Sequence, residues 1–294
     1  MSTSAGGPRI SDLLRSTSEA LRRAGVENPR FEAQTLLADL LDVDRGRLLA
    51  RGPERLPPSV LGAYESRVQR RVAREPFQHI VGTVEFFGLQ LEVDSRALIP
   101  RPETELLVDV ALAVELQREA RIVDLGTGSG CIAVALAVHR PAWRMTAVDR
   151  SVACLELARN NAGRHGVERR VELVAGDFAA LPEDWKGGFD LVVSNPPYVA
   201  LAEWRELEPE VRDHEPRDAL VPGPTGLEAF ESIAGAARRL LRADGTLVLE
   251  VGYGQAERVT RMLELHGFCE IVTTEDFQRI PRVIRATCGG GGRR

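Results

Sequence analysis

From Arg121 onward the sequence alternates short apolar runs with amphipathic stretches, and this alternation limits the possible folds more than any other feature. The runs read as strands over Ile122–Leu125, Arg144–Val148, Val171–Val174, Leu191–Val193 and Thr246–Val251, with closing segments near Glu270–Thr274 and Arg282–Ala286. Helical patterns fall between them: Ser129 to about His139, Ser151 to Ala162, about Leu227 to Leu241 and about Gln255 to Leu265. Strands that alternate with helices are joined by crossovers. The expectation is therefore an α/β fold, a doubly wound, mostly parallel sheet with helices on both faces.

Such sheets bind ligands at the carboxyl ends of their strands. Four polar pieces lie there. Val123-Asp124-Leu125-Gly126-Thr127-Gly128-Ser129-Gly130 stands where the first strand turns into the first helix. Its glycines let the backbone approach a ligand, and a helix N-terminus offers N–H groups to a carboxylate or phosphate. A dinucleotide fingerprint would place glycine at position 131, where the chain has Cys131. Asp149 closes the second strand, where an acid can meet both ribose hydroxyls. Asp177 and Phe178 follow the third strand; one can accept from an adenine amino group and the other can stack on the ring.

The fourth piece is Ser194-Asn195-Pro196-Pro197-Tyr198, after the run Phe189–Val193. Each proline fixes its own φ, holds the preceding residue extended and lacks an N–H. The loop thus presents acceptors, the Asn195 side-chain oxygen and the Pro196 carbonyl, beside the aromatic face of Tyr198. Such a pocket suits a planar –NH2 group. A strand-ending turn with a core tyrosine is the plainer reading of the same residues.

The first part of the chain differs in character. Residues 1–76 read as a helical bundle. Ser11 can cap a helix that Gly25 ends, Asn28-Pro29 opens a second, and Pro57-Pro58 opens one running to about Arg74. That last helix places Arg67, Arg70, Arg71 and Arg74 on one face, either a solvated face or a docking stripe for an acidic or phosphate-bearing partner. Residues 77–97 alternate and contain glycine, as a β-hairpin connector would. Ile99-Pro100-Arg101-Pro102-Glu103-Thr104-Glu105 then reads as a stiff extended entry to a helix over Leu106 to about Gln117. It is either a wall of a pocket or a rigid linker.

The formal net charge of -5 argues against a surface built to grip nucleic acid. The four cysteines are scattered, with no CxxC, which speaks against a metal site or a disulfide framework and fits a reducing, cytoplasmic setting. Residues 1–8 are small and polar, with no apolar core of signal-peptide length, and no later run is long enough to span a membrane. Residues 289–294 read as a disordered tail.

These motifs together resemble the class-I S-adenosylmethionine-dependent methyltransferases. More closely, they resemble the bacterial PrmC/HemK family, the peptide-chain release-factor glutamine N5-methyltransferases. Beyond the glycine loop, the resemblance rests on the N-terminal bundle, Pro76–Gly82, Phe86-Phe87-Gly88, Ile99–Glu105, Ser194–Tyr198, His214-Glu215-Pro216, Ala219-Leu220 and Leu249-Glu250-Val251-Gly252. Two places depart from it. His214 stands where tyrosine is usual, and Asp276–Arg282 has Arg279 where the family's Asp-x-x-Gly-x-x-Arg has glycine.

The resemblance implies a Rossmann-like methyltransferase domain over residues 98–288 and a substrate-recognising bundle. It implies S-adenosyl-L-methionine as methyl donor, with S-adenosyl-L-homocysteine as product. Asp124, Gly126, Thr127, Gly128, Ser129, Gly130, Asp149, Asp177, Phe178 and Asn195 would hold the donor. Asn195, Pro196, Pro197, Tyr198, Arg101 and Glu103 would hold the glutamine, with Asn195, Pro196 and Tyr198 acting in catalysis. Peptide chain release factors would be the protein substrate of a monomeric, cytoplasmic enzyme. It would need no metal, nucleic-acid or membrane contact. Alternatives are a glutamine methyltransferase for a ribosomal protein, an amino-directed nucleic-acid methyltransferase, an NAD-dependent dehydrogenase and a non-catalytic binding domain.

Overall fold

A computed structural model describes residues 7–289. The described chain forms two compact units. The first takes the residues up to Gly82 together with Glu208–His214, and the second takes Thr83–Leu207 with the residues from Glu215 onward.

The first unit is helical: α1 (Ile10–Arg23), α2 (Pro29–Leu40), α3 (Arg45–Ala50), α4 (Pro58–Val72) and α5 (Phe77–Val81). Ile10, Leu14 and Leu21 of α1 and Ala33, Leu36 and Leu37 of α2 recur at helical spacing and are buried together. Tyr64 of α4 is fully buried and donates its hydroxyl to the Ala33 carbonyl at 2.9 Å. Burial pushes that hydroxyl's pKa up to about 12. Arg9, and not Ser11, occupies the N-cap of α1; Ser11 lies within the helix.

The four arginines at the end of α4 and just beyond it are all paired with carboxylates, though Arg70 stays exposed. Arg67 pairs with Asp39 at 2.5 Å and Arg70 with Glu75 at 2.5 Å. Arg71 reaches Glu32 at 2.5 Å and Glu210 at 2.9 Å, and Arg74 reaches Glu210 at 2.5 Å. Helical spacing holds for Arg67, Arg70 and Arg71, whereas Arg74, expected on the same face, lies past the helix end at φ 66°.

Extended chain is expected at Ile80-Val81-Gly82, yet these residues finish α5, which Gly82 ends at φ 84°. The hairpin is confined to β1 (Thr83–Phe86) and β2 (Leu89–Glu92). Phe87 and Gly88 both have positive φ, 50° and 72°, as a tight two-residue hairpin turn requires.

The second unit carries a seven-stranded sheet. Its strands are β3 (Arg121–Leu125), β4 (Arg144–Asp149), β5 (Val171–Ala175), β6 (Phe189–Ser194), β7 (Leu241–Glu250), β8 (Phe268–Glu275) and β9 (Pro281–Cys288). Their order is β5-β4-β3-β6-β7-β9-β8, parallel except where β9 runs antiparallel to both neighbours. The mostly parallel α/β sheet read from the alternation is the one found. From β3 the chain winds outward through β4 and β5, then returns to the other side of β3 with β6. The switch point lies between β3 and β6, where sheets of this kind form their ligand crevice at the strands' carboxyl ends.

Three helices bear on that crevice: α6 (Pro102–Leu112), α7 (Cys131–His139) and α8 (Val152–Arg164). Cys131 through Ala137 of α7 are all buried, so α7 is enclosed on all sides. Helix α6 starts at Pro102, with Arg101 as its N-cap, four residues before the position expected from the pattern. Only Ile99 to Arg101 remain as extended entry. Proline suits the first helical position because its missing N–H has no partner there anyway.

The turn between β8 and β9 accounts for the odd residue at 279. Asp276 Oδ1 accepts from the Gln278 and Ile280 amides, at 2.8 and 3.0 Å, and Arg279 takes φ 60°. The left-handed conformation that a glycine would adopt freely is thus imposed on an arginine. That conformation costs an L-residue about 1–2 kcal/mol. Arg279→Gly is accordingly expected to raise the melting temperature by a few degrees. An unchanged or lower melting point would count against strain at this residue.

Among the described residues no helix is long and apolar enough to cross a membrane. All but the first residue of the expected disordered tail, 290–294, lie outside the described residues.

Candidate active site

The glycine loop is tied down from several sides. The Gly126 and Thr127 amides both donate to the Val148 carbonyl at 2.9 Å, and the Gly130 amide to the Thr127 carbonyl at 2.8 Å. Gly126, Gly128 and Gly130 all have positive φ. A Cβ at Gly130 would sit 2.9 Å from Ala158 Cβ, so this glycine is where α8 packs closest to the loop. Asn161 of α8 is fully buried and donates to the carbonyls of Ser129 and Glu92, at 2.9 and 3.1 Å. The loop therefore spends several of its N–H groups on its own shape.

Two carboxylates serve the loop. Asp149 ends β4 and is half-buried; its Oδ2 accepts from the Gly128 amide and its Oδ1 from the Ser151 amide, both at 2.9 Å. Asp124 is fully enclosed, and its Oδ2 accepts from the Thr127 hydroxyl at 2.6 Å. Asp124, expected among the residues that hold the donor, thus lies beneath the loop, with its Oδ1 buried and without a hydrogen-bond partner. Burial, with the Asp149 charge nearby, lifts its pKa to about 7 against the bond from Thr127. Thr127 and Ser129 are buried as well, and Ser129 Oγ has no hydrogen-bond partner. Beyond β5, Asp177 is exposed, while Phe178 is half-buried with its ring edge 3.7 Å from where a Gly126 Cβ would be. An aromatic face thus lines the open side of the loop.

The second wall is the segment after β6. Ser194 is buried and donates to the Leu125 carbonyl at 2.5 Å, which joins the ends of β6 and β3. Asn195 Nδ2 donates to Thr104 Oγ1 at 3.0 Å, and the Thr104 hydroxyl donates to Glu250 Oε2 at 2.7 Å. Asn195 Oδ1 is buried and accepts from no protein group. Pro196 is buried, and Pro197 and Tyr198 are half-buried. Burial pushes the Tyr198 hydroxyl well above its ordinary pKa. The Tyr198 ring lies against Gly252, where a Cβ would come within 2.9 Å of Tyr198 Cδ2. Gln255 brackets the same place, accepting from the Gly252 amide at 3.0 Å and donating to the Tyr198 carbonyl at 2.9 Å.

Arg101 and Glu103 part company. Arg101 donates to the buried Glu215 at 2.6 Å, and Glu215 also accepts from the Ile99 amide at 3.2 Å. Arg101 thus holds the α6 entry in place, and its part in substrate contact is not visible in this pairing. Glu103 is half-buried on the first turn of α6. Thr104, Glu215, Gly252 and Gln255 are residues the sequence reading did not place in the site. Glu215 was legible only as part of a His-Glu-Pro segment whose partner, Arg101, lies 114 residues earlier. The histidines His139, His165 and His266 contact the Ala135 carbonyl, the Gln90 carbonyl and Glu231, away from these walls.

Glu250 and Asp124 share an electrostatic property. Burial, opposed by the Thr104 hydroxyl, lifts the Glu250 pKa to about 7. A carboxyl raised above its unfolded value binds more protons in the folded state than in the unfolded one. Stability then falls as pH rises from the unfolded pKa, about 4, to the folded one. The melting temperature is expected to decline between about pH 5 and about pH 8, and less so in Glu250→Gln. A rising or flat profile across that window would contradict the burial of both groups in charged form.

Residues 102–207 match the family described as Methyltransferase small domain, and residues 12–82 the PrmC N-terminal domain. Among solved structures, the hMettl16 catalytic domain in complex with MAT2A 3'UTR hairpin 6 superposes with a TM-score of 0.56 at 17% identity. The match covers 78% of this chain and 83% of that one. The sheet order is that of the class-I methyltransferase fold, and residues 102–207 carry the matching methyltransferase domain. The release factor glutamine methyltransferase of Geobacter sulfurreducens is 42% identical over 280 residues, 95% of this chain and 97% of its own. That of Mycolicibacterium smegmatis is 43% identical over 284 residues, 95% of this chain and 98% of its own. The chain belongs to the release factor glutamine methyltransferase family.

Proposed function

We propose that this chain transfers the methyl group of S-adenosyl-L-methionine to the side-chain amide nitrogen, N5, of the glutamine in the Gly-Gly-Gln segment of class-one peptide chain release factors. The observation that carries the reading is Asn195 Oδ1, a buried acceptor with no protein partner at the mouth of the switch point. A buried acceptor is costly to leave unmet, and a primary amide's N–H is the donor that meets it.

The residues fit the donor. The positive-φ glycines keep side chains off the loop, Asp149 stands at the end of β4 with further lone pairs for ribose hydroxyls, and Asp177 and Phe178 supply an acceptor and a ring for adenine. When bound, S-adenosyl-L-methionine supplies a methyl already activated by a sulfonium, and it leaves as the neutral thioether S-adenosyl-L-homocysteine.

The difficulty is the nucleophile, since an amide nitrogen shares its lone pair with its carbonyl. Asn195 Oδ1 and the Pro196 carbonyl hold the –NH2 in line with the methyl and accept hydrogen bonds that strengthen as the nitrogen becomes positive. Tyr198, packed on Gly252, covers the plane of the glutamine amide. The surplus proton is acidic once the N–C bond has formed and leaves to water, so no side chain is assigned as base. The enzyme acts as a monomer in the cytoplasm, without direct contact to nucleic acid. The test is mass spectrometry of a release factor incubated with the donor. One added methyl on the Gly-Gly-Gln glutamine is expected, and a release factor left unmodified while another protein or a nucleic acid gains the methyl would sink the reading.

A further inference from the structure

Asn195 serves a target amine only if its oxygen, and not its nitrogen, faces that amine. A primary amide has nearly the same shape either way round, so a neighbour must choose. Here the neighbour is Thr104. Its hydroxyl has a single proton, and that proton goes to Glu250 Oε2 at 2.7 Å. Thr104 Oγ1 can then only accept, which it does from Asn195 Nδ2 at 3.0 Å. Oδ1 is left on the opposite side of the amide, buried and unmet. Thr104 and Glu250 are each 1% exposed, so water offers the hydroxyl no other acceptor.

We infer that Glu250, acting through the Thr104 hydroxyl, is a positioning residue that locks the Asn195 amide with its oxygen toward the acceptor amine, and that a proton on Glu250 releases the lock. The inference rests on the reading of Asn195 given above. An ionised Glu250 can only accept, which fixes the direction of both bonds. A protonated Glu250 can donate to Thr104 Oγ1. The Thr104 proton is then free to turn to Asn195 Oδ1, and the amide loses its preference.

The groups facing Glu250 come from several elements. Glu103 on α6 disfavours its charge, while Arg282 on β9 and the hydroxyls of Thr104 and Tyr198 favour it. Cys131 on α7 is a neutral thiol, since burial holds its pKa up at about 12. Burial dominates at Glu250 itself and brings its pKa to about 7, within reach of ordinary buffers. The lock needs the ionised form, so the transfer rate must fall as pH drops through that value.

The measurement is single-turnover transfer to a release factor at saturating donor, with donor affinity by calorimetry. Thr104→Val removes the hydroxyl at constant shape and is expected to slow transfer about 10–100-fold, with donor affinity unchanged. Thr104→Ser restores the hydroxyl and should restore most of the rate. The parent should show an acid limb near about pH 7 that Glu250→Gln, which cannot titrate, lacks. Transfer by Thr104→Val at the parent rate, or the same acid limb in Glu250→Gln, overturns the inference. If Thr104→Val fails to melt cooperatively, the fate of the limb in Glu250→Gln decides alone.

A readout free of the substrate separates this inference from the assigned reaction. Relative to the intrinsic rate at each pH, the Asn195 side-chain NH2 protons should be more protected in the parent above the Glu250 pKa than below it, where the lock is open, and Thr104→Val should lack that step while Thr104→Ser keeps it. Equal protection at all pH values would overturn the lock even if the release factor is methylated. A parent with the expected exchange pattern and no activity on release factors would leave the lock standing and remove the substrate assignment.

Discussion

Asn195→Ala is expected to slow methyl transfer about 10²–10³-fold while leaving the fold and the donor affinity nearly intact. The structure separates the two effects. The Asn195 amide makes its hydrogen bond to a side chain, Thr104, and none of its bonds holds the turn of the loop itself. Losing that bond costs stability of only about 1 kcal/mol. Thr104 keeps Glu250, and the unmet Oδ1 disappears with the side chain. The loop stays in place through the prolines, the Ser194 bond to the Leu125 carbonyl and the Gln255 bracket on the Tyr198 carbonyl. What is lost is the acceptor whose bond strengthens as the glutamine nitrogen becomes positive. Asn195→Asp keeps the acceptors but removes the Nδ2 donor and places a second carboxylate next to the Thr104–Glu250 pair, so transfer to glutamine should also fall steeply. Single-turnover transfer to a release factor, with thermal melting alongside, checks both variants. Near-parent transfer by a folded Asn195→Ala would mean that the –NH2 is held by other groups.

Arg71→Met is expected to destabilise the helical unit by about 3–5 kcal/mol, the largest stability effect among single substitutions considered for it. Arg71 is buried to 5% exposure and serves two carboxylates, Glu32 at 2.5 Å and Glu210 at 2.9 Å, besides the Glu75 carbonyl at 3.2 Å. The side chains of Glu32 and Glu210 are only 13% and 18% exposed. Methionine replaces the stem but leaves Glu32 without its cation and Glu210 with Arg74 alone, and an unpaired buried charge is costly. Burial tends to raise the Glu210 pKa, yet the bonds from Arg74 and Arg71 prevail and hold it below the ordinary value. Glu210 therefore contributes stability above the usual carboxylate range and loses it as pH falls through its folded pKa. Urea unfolding followed by a probe in the helical unit should show the lower midpoint at neutral pH and a smaller deficit in acid. An unchanged midpoint would mean that Glu32 and Glu210 find water or other cations.

What the sequence could and could not disclose follows from distance along the chain. The glycine loop and the Asn-Pro-Pro-Tyr segment are local. Each is a short run whose conformation is set by its own glycines and prolines, at a strand end visible from the alternation. The sheet, too, was legible, because a period of two and a period of 3.6 leave different traces. Thr104, Glu215 and Arg71 act through partners 91, 114 and 139 residues away, so no window of sequence contains the interaction. The burial of Asp124 was not legible for a related reason. A carboxylate in a glycine motif reads the same whether it faces a ligand or lies under the loop, and only burial distinguishes the two. At Phe77–Val81 the apolar pattern was too short to separate a turn of helix from a strand.

The pairing of Arg71 with Glu210 has a consequence for the order of events during synthesis. The chain is made from its N-terminus, so the first unit's helices leave the ribosome well before the segment that supplies Glu210, 139 residues later. At about 5–20 residues per second that interval is on the order of ten seconds. Throughout it Arg71 has Glu32 as its only carboxylate partner, and Arg74 has none of the two it reaches in the finished unit. The helical unit is the first to emerge but is completed only after β3 through β6 have been translated, so its final locking waits on the translation of much of the sheet.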